Sequence, residues 1–227
     1  MSHKRSGSSS YVASQRRSGR REQSMVWNDQ VMSIEGRRIR IVGEGALALS
    51  LATSLRGLGA VIADGPDALD AAVFAPWDPS TMVPRPLVEL TDEEFGEAWQ
   101  QTMDAAIAMC VDSREAFAGR AGNIVLTFPT TAFVGGAMYA HWAAAAEGVH
   151  LLTKSVARQW GPEGIAVNAL AIDPALVLAD PSAAGPVSIA QPAVADPNPV
   201  DALAFLCSPA AQKLAGQTLT VDGGLWM

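Results

Sequence analysis

Cysteine, histidine and tyrosine are all scarce in this 227-residue chain, which has two, three and two of them. Cys110 and Cys207 each sit in apolar, helix-like sequence and are too few for a disulfide framework or a thiolate metal cluster, which points to a reducing compartment. Long hydrophobic runs are missing as well. No apolar run reaches the length that a membrane span needs, and the N-terminus has no apolar stretch of the signal-peptide kind. A cytoplasmic protein without membrane contact is expected. Positive charge is in deficit: 16 Lys and Arg stand against 23 Asp and Glu, a net charge of −7. Six of those basic residues, but only three of the acids, fall within residues 1–35. That segment places Arg16, Arg17, Arg20 and Arg21 among Ser, Gly and Gln, the composition of a disordered basic tail, with a nucleic-acid arm as the alternative. The remaining acidic body has no basic stripe, which argues against nucleic acid as a partner. With 49% hydrophobic and 17% charged residues overall, residues 36–227 are expected to form a single domain with a real core.

Within that body, Arg38-Ile39-Arg40-Ile41-Val42 reads as a strand. Gly43-Glu44-Gly45 then makes a turn, and Ala46 to Arg56 is apolar-periodic and helical. Ala60–Ala63 and Ala71–Ala75 read as two further strands joined by a link too short for an ordinary parallel crossover through a packed helix. Thr91 and Glu94 have the spacing of a capping box opening a long helix toward Phe117. Strands follow at Gly122–Thr127, Ile165–Ile172 and Gln217–Val221, with helices over Tyr139–Trp160 and Val200–Cys207. Asp173–Pro199 is Pro/Ala-rich loop. Alternating strands and helices predict an α/β fold, a three-layer, doubly wound and mostly parallel sheet, truncated around its second to fourth strands.

Three segments carry a resemblance to a known family: Leu152-Thr153-Lys154-Ser155-Val156-Ala157, Gly164-Ile165-Ala166-Val167-Asn168-Ala169, and Ala204 to Ser208 with Gly216-Gln217-Thr218-Leu219-Thr220-Val221-Asp222-Gly223-Gly224. They resemble the end of the active-site helix, the sixth strand and the C-terminus of the short-chain dehydrogenases/reductases, most of all the 3-oxoacyl-reductase-like and hydroxyacyl-CoA-dehydrogenase-like members. Set in the register of these segments, the family's catalytic tyrosine falls on Trp142, its lysine on Ala146, its serine on Pro129 and its asparagine on Thr102. Hydride transfer at a carbinol requires a hydroxyl whose pKa is lowered by a nearby ammonium, and a second hydroxyl to hold the substrate oxygen. An indole N–H only donates, and alanine and proline have no side-chain proton to give. A slip that brings Tyr139 into register leaves Ala143 at the lysine position. A replacement relay would have to use His141 as base, with Thr130 or Tyr139 as hydrogen-bonding partner.

On the cofactor side, Gly43-Glu44-Gly45-Ala46-Leu47-Ala48 reads as GxGxxA between a strand and a helix, with Asp64 further on where a ribose-binding acid would stand. Gly43, Gly45, Ala48 and Asp64 are therefore the candidate dinucleotide contacts. Against them stand Glu44, an anion where a pyrophosphate would lie, and the missing stretch after Asp64. Phe74-Ala75-Pro76-Trp77 also replaces the family's asparagine-rich turn, and Ile172-Asp173 replaces its Pro-Gly. What the resemblance implies is thus a family member without the family's chemistry. It would be a non-catalytic subunit, using no cofactor, that pairs with itself or with an active homologue in a dimer or tetramer. The alternative is a divergent NAD(P)-dependent oxidoreductase acting on a carbonyl, hydroxyl or acyl-CoA substrate. A ligand or redox sensor on the same fold is a third reading. No residue set suggests a metal.

Overall fold

The computed structural model describes residues 32–65, 68–186 and 196–225. The basic tail up to residue 31 and the C-terminal Trp226 and Met227 lie outside them. Six strands form one parallel sheet: β1 (Arg38–Val42), β2 (Val61–Ile62), β3 (Ala71–Phe74), β4 (Gly122–Pro129), β5 (Ile165–Ile172) and β6 (Thr218–Val221), in the order β2-β1-β3-β4-β5-β6. The principal helices are α1 (Ala46–Gly57), α2 (Asp92–Ala116), α3 (Ala140–Trp160) and α4 (Val200–Cys207). Every residue of β4 and β5 is buried, as expected for strands covered on both faces, and this is why both read as continuous apolar runs. The family-like Val167-Asn168-Ala169 has a physical role here. The Asn168 amide donates to the Leu214 carbonyl and accepts from the Gln217 N–H, fixing the chain where it enters β6.

The expected helix bounds hold closely. Thr91 Oγ1 accepts from the Glu94 N–H and the Glu94 carboxylate accepts from the Thr91 N–H, the reciprocal capping box that starts α2. The second strand is shorter than the sequence suggests, at two residues, and β4 runs two residues further, to Pro129.

The connection from β2 to β3 passes over β1 and remains parallel, with no helix among its described residues. Its carbonyls need donors that a helix would have supplied internally. Arginines supply them: Arg38 donates to Ala68, Arg120 to Leu69, Arg37 to Asp70 and Arg40 to Gly65. Leu69, fully buried, pins the link to the core. This is the physical form of the truncation read from the sequence.

Candidate active site

The winding of the sheet reverses between β1 and β3. In a doubly wound fold, the crevice beyond the carboxyl ends of such strands is where ligands enter. Here two pieces of the chain's own backbone meet in it: the Gly43-Glu44-Gly45 turn after β1, and Ala75 to Ser80 after β3. Gly43, at φ 149°, lies so close to the second segment that a β-carbon on it would stand 2.0 Å from the Ala75 carbonyl oxygen. A β-carbon on Gly45 would stand 2.1 Å from Asp78 Oδ2. Both glycines are thus required by close approach, and what approaches is protein.

Asp78 has taken the start of α1. Its Oδ2 accepts from the Ala46 N–H at 3.1 Å, and its Oδ1 from the Ser80 N–H at 2.7 Å. Gly45, the N-cap residue, has no side chain to cap the helix, so Asp78 supplies the oxygen from a distant point in the chain. Hydrogen bonds from Ser80, and more weakly from the Ala46 N–H, hold its carboxyl below the usual carboxylate range. An anion at a helix N-terminus is favoured by the unsatisfied N–H groups and the helix dipole, the same terms that bind a phosphate there.

Trp77, 2% exposed, closes the floor beside it. Its indole N–H donates to the Thr127 carbonyl at 2.6 Å, and its ring meets Phe74 edge-on at 6.4 Å between centroids. Thr127 Oγ1 in turn donates to the Phe74 carbonyl at 2.7 Å. The other dinucleotide candidates lie apart from one another. Ala48 is buried against the core. Asp64 stands beyond the end of β2, in a cleft with Arg40, Gly65, Asp112 and Glu115. Glu44 is exposed.

The positions matched to the family's catalytic residues are equally informative. Pro129 closes β4 opposite Ile172, and Ala146 is fully buried on α3. Thr102 is buried with its hydroxyl donating to the Ala98 carbonyl of its own helix. Trp142 packs against the core with an indole N–H that has no partner among the described residues. Of the replacement relay, Tyr139 is committed elsewhere: its hydroxyl donates to the Asp180 carbonyl at 2.9 Å and accepts from the Asp180 N–H at 3.1 Å. Thr130 Oγ1 and His141 Nδ1 are buried without partners among the described residues. His141 lines a cavity together with Trp142, but neither Thr130 nor Tyr139 lines that cavity. Burial, and then the charge of Arg85, hold the His141 imidazole below its ordinary pKa, against a smaller opposing pull from Glu94. Reading the sequence missed Asp78. The signal was present, since an Asp followed two residues later by Ser is a common turn-forming and capping pattern.

Cys110 and Cys207 are buried free thiols, each pushed up to about 12 by burial, and so inert at neutral pH. Among the described residues no group of His, Cys, Asp or Glu could hold a metal ion, and no helix is long and apolar enough to cross a membrane.

Comparison with known proteins sets this geometry in a lineage. The family model described as enoyl-(acyl carrier protein) reductase matches residues 68–226. The chain is 31% identical over 154 residues to a 3-oxoacyl-(acyl-carrier-protein) reductase of Vibrio cholerae, covering 62% of this chain and 61% of that protein. It is 35% identical over 115 residues to the reductase of the same name from Vibrio harveyi, covering 48% and 47%. The chain therefore spans about three-fifths or less of the length of these relatives. Among solved structures, a short-chain dehydrogenase of Leptospira borgpetersenii with bound NAD+ superposes with a TM-score of 0.66 at 17% identity, over 86% of this chain and 94% of that one. A gluconate 5-dehydrogenase of Burkholderia cenocepacia in complex with NADP and tartrate superposes with a TM-score of 0.64 at 21% identity, over 86% and 97%. A parallel sheet of this order, the motif segments at β5, α3 and β6, and a family match over well over half the chain lead to one conclusion: the chain belongs to the short-chain dehydrogenase/reductase family.

Proposed function

We propose that this protein is a non-catalytic, cytoplasmic member of its family that binds no dinucleotide and acts as a subunit, assembling with itself or with an active homologue as a dimer or tetramer. The observation that carries the reading is Asp78. Its carboxylate accepts the Ala46 N–H at the turn where a pyrophosphate would lie, with the Gly45 α-carbon pressed against it. A dinucleotide phosphate would have to displace a carboxylate already accepting from the Ala46 and Ser80 N–H groups, next to a second anion, Glu44. The residues present do not fit the cofactor, so no hydride-transfer step is drawn through it. Trp142, Ala146, Pro129 and Thr102 at the family's catalytic positions support the same reading: alanine and proline have no side-chain proton, the indole only donates, and the buried Thr102 hydroxyl is committed to the Ala98 carbonyl.

Association is supported by what remains. The outer faces of α2 and α3 carry exposed Trp99, Ile107, Val111 and Leu151, with Phe133 and Val134 nearby in sequence before α3. Apolar side chains of this size clustered on two adjacent helices are the composition of an interface. The test is light scattering on the purified chain, alone and co-expressed with catalytically intact family members from the same genome. A dimer, a tetramer or a mixed complex is expected. A stable monomer that retrieves no such partner overturns the subunit reading. Divergent NAD(P)-dependent catalysis is the second reading, favoured by His141, whose buried Nδ1 has no partner among the described residues and whose imidazole burial holds below its ordinary pKa. Reductase turnover abolished by His141→Ala would establish it.

A further inference from the structure

The short link between β2 and β3 leaves the sheet beside α2 without a crossover helix among the described residues. Val61, which pairs with Arg38 at this edge, is 44% exposed. In place of a helix lies a cleft of about 470 Å³, lined by Arg40 of β1, by Asp64 and Gly65 after β2, and by Asp112, Glu115 and Ala116 of α2. Its charge is unbalanced. Asp64, Asp112 and Glu115 are exposed, and none of the three carboxylates forms an ion pair or hydrogen bond among the described residues. The arginines around them are engaged: Arg40 with the Gly65 carbonyl, Arg114 with Glu163, and Arg120 with Asp70. Asp112 and Glu115 also stand in the last two turns of α2, where the helix dipole and their mutual repulsion both disfavour carboxylates.

The chain itself carries the complement. Residues 36–227 have ten basic side chains against twenty acidic, whereas residues 1–31 have six against two, and four of those six lie in Arg16-Arg17-Ser18-Gly19-Arg20-Arg21. The described chain also begins beside the cleft. Gly36 donates to the Gly59 carbonyl just before β2, and Arg38 to the Ala68 carbonyl on the link. Arg21 lies eleven residues before Met32, the first described residue, a span of at most about 40 Å when extended. A tether of that length holds the segment at an effective concentration on the order of millimolar. We propose that the cleft is the docking site of the chain's own residues 16–21, whose guanidiniums pair with Asp64, Asp112 and Glu115. The planar fork of arginine matches a carboxylate. Each pair is exposed and therefore weak and sensitive to salt, so it is the tether and the clustering of charge that sustain the contact. The docking does not depend on the non-catalytic reading, since it uses neither the Asp78 crevice nor a partner subunit.

The test is paramagnetic broadening in the full chain. Cys110 and Cys207 are buried free thiols, so Ser18→Cys gives the segment one accessible thiol for a nitroxide spin label, and the amide resonances of the ¹⁵N-enriched protein report its position. The amides of Gly65, Asp112 and Glu115 are expected to lose most of their intensity, more than any other amide of residues 36–227. They are expected to recover it at about 1 M salt, where the Debye length is about 3 Å. Asp112→Asn combined with Glu115→Gln is expected to restore the same resonances without lowering the thermal midpoint, because both side chains are exposed. Broadening spread evenly over the surface or centred elsewhere overturns the proposal, as does broadening that survives the double substitution. So does equal broadening in a mixture of spin-labelled, unenriched chain with unlabelled ¹⁵N-enriched chain, which would place the segment on a second copy.

Discussion

The two flanks of the sheet differ in how much of the fold they keep. On one side β4 and β5 are eight residues each, entirely buried, and covered by α2 and α3 with 25 and 21 residues. On the other, β2 has two residues, β3 has four, and the connection between them is a short link tied down by arginines. The reduced side is the side that would hold a dinucleotide, and its crevice is filled from within by Trp77 and Asp78. The full side carries the exposed apolar helix faces. The proposed subunit reading takes the full side as the association surface and the reduced side as unable to hold a cofactor.

That contrast can be broken most forcefully at Trp77. Replacing it with alanine removes a buried indole and its bond to Thr127, so stability measured by urea unfolding should fall by about 3–5 kcal/mol. A loss below about 1 kcal/mol would mean that the crevice is not packed as described. Tyr139→Phe comes next. It leaves the Asp180 N–H and carbonyl without their buried partner and should lower stability by about 1–3 kcal/mol. If it instead removes an enzymatic activity while stability is unchanged, Tyr139 belongs to a working relay.

Asp78→Ala is expected to be the mildest, at about 1 kcal/mol for a lost helix cap, and it has a pH signature. Because its hydrogen bonds hold the Asp78 carboxyl below the ordinary carboxylate range, the folded state binds the proton less readily than the unfolded chain. The contribution is present above the unfolded value, near pH 4, and lost as pH falls through the folded one. The difference between wild type and variant, followed by thermal unfolding, should be constant above about pH 5 and shrink below pH 4. A difference that persists into strong acid would remove Asp78 from the cap.

Much of this was legible in the residues. Period and capping signals located β1, α1, α2 and α3, because Thr91 and Glu94 are local chemistry and the alternation of Arg38 to Val42 is a direct image of a pleated strand. The truncation was legible as a link too short for a helix. The arginines that sustain it were not, since Arg37, Arg38, Arg40 and Arg120 act on a segment up to 51 residues away in sequence. The site was readable only in part. The placing of Trp142, Ala146 and Pro129 at the family's catalytic positions rests on sequence register alone, whereas the bond from the Ala46 N–H to Asp78 joins residues 32 apart, and a glycine turn looks the same whether a phosphate or a carboxylate presses on it.

On the proposed reading the glycine turn is held by the chain's own carboxylate rather than by a nucleotide. Isothermal titration of the purified protein with NAD(H) and NADP(H), carried to millimolar concentration, tests it most directly. No saturable heat is predicted for any of the four forms. A clear isotherm saturating in the micromolar range would contradict it, returning Gly43, Gly45 and Asp64 to cofactor binding.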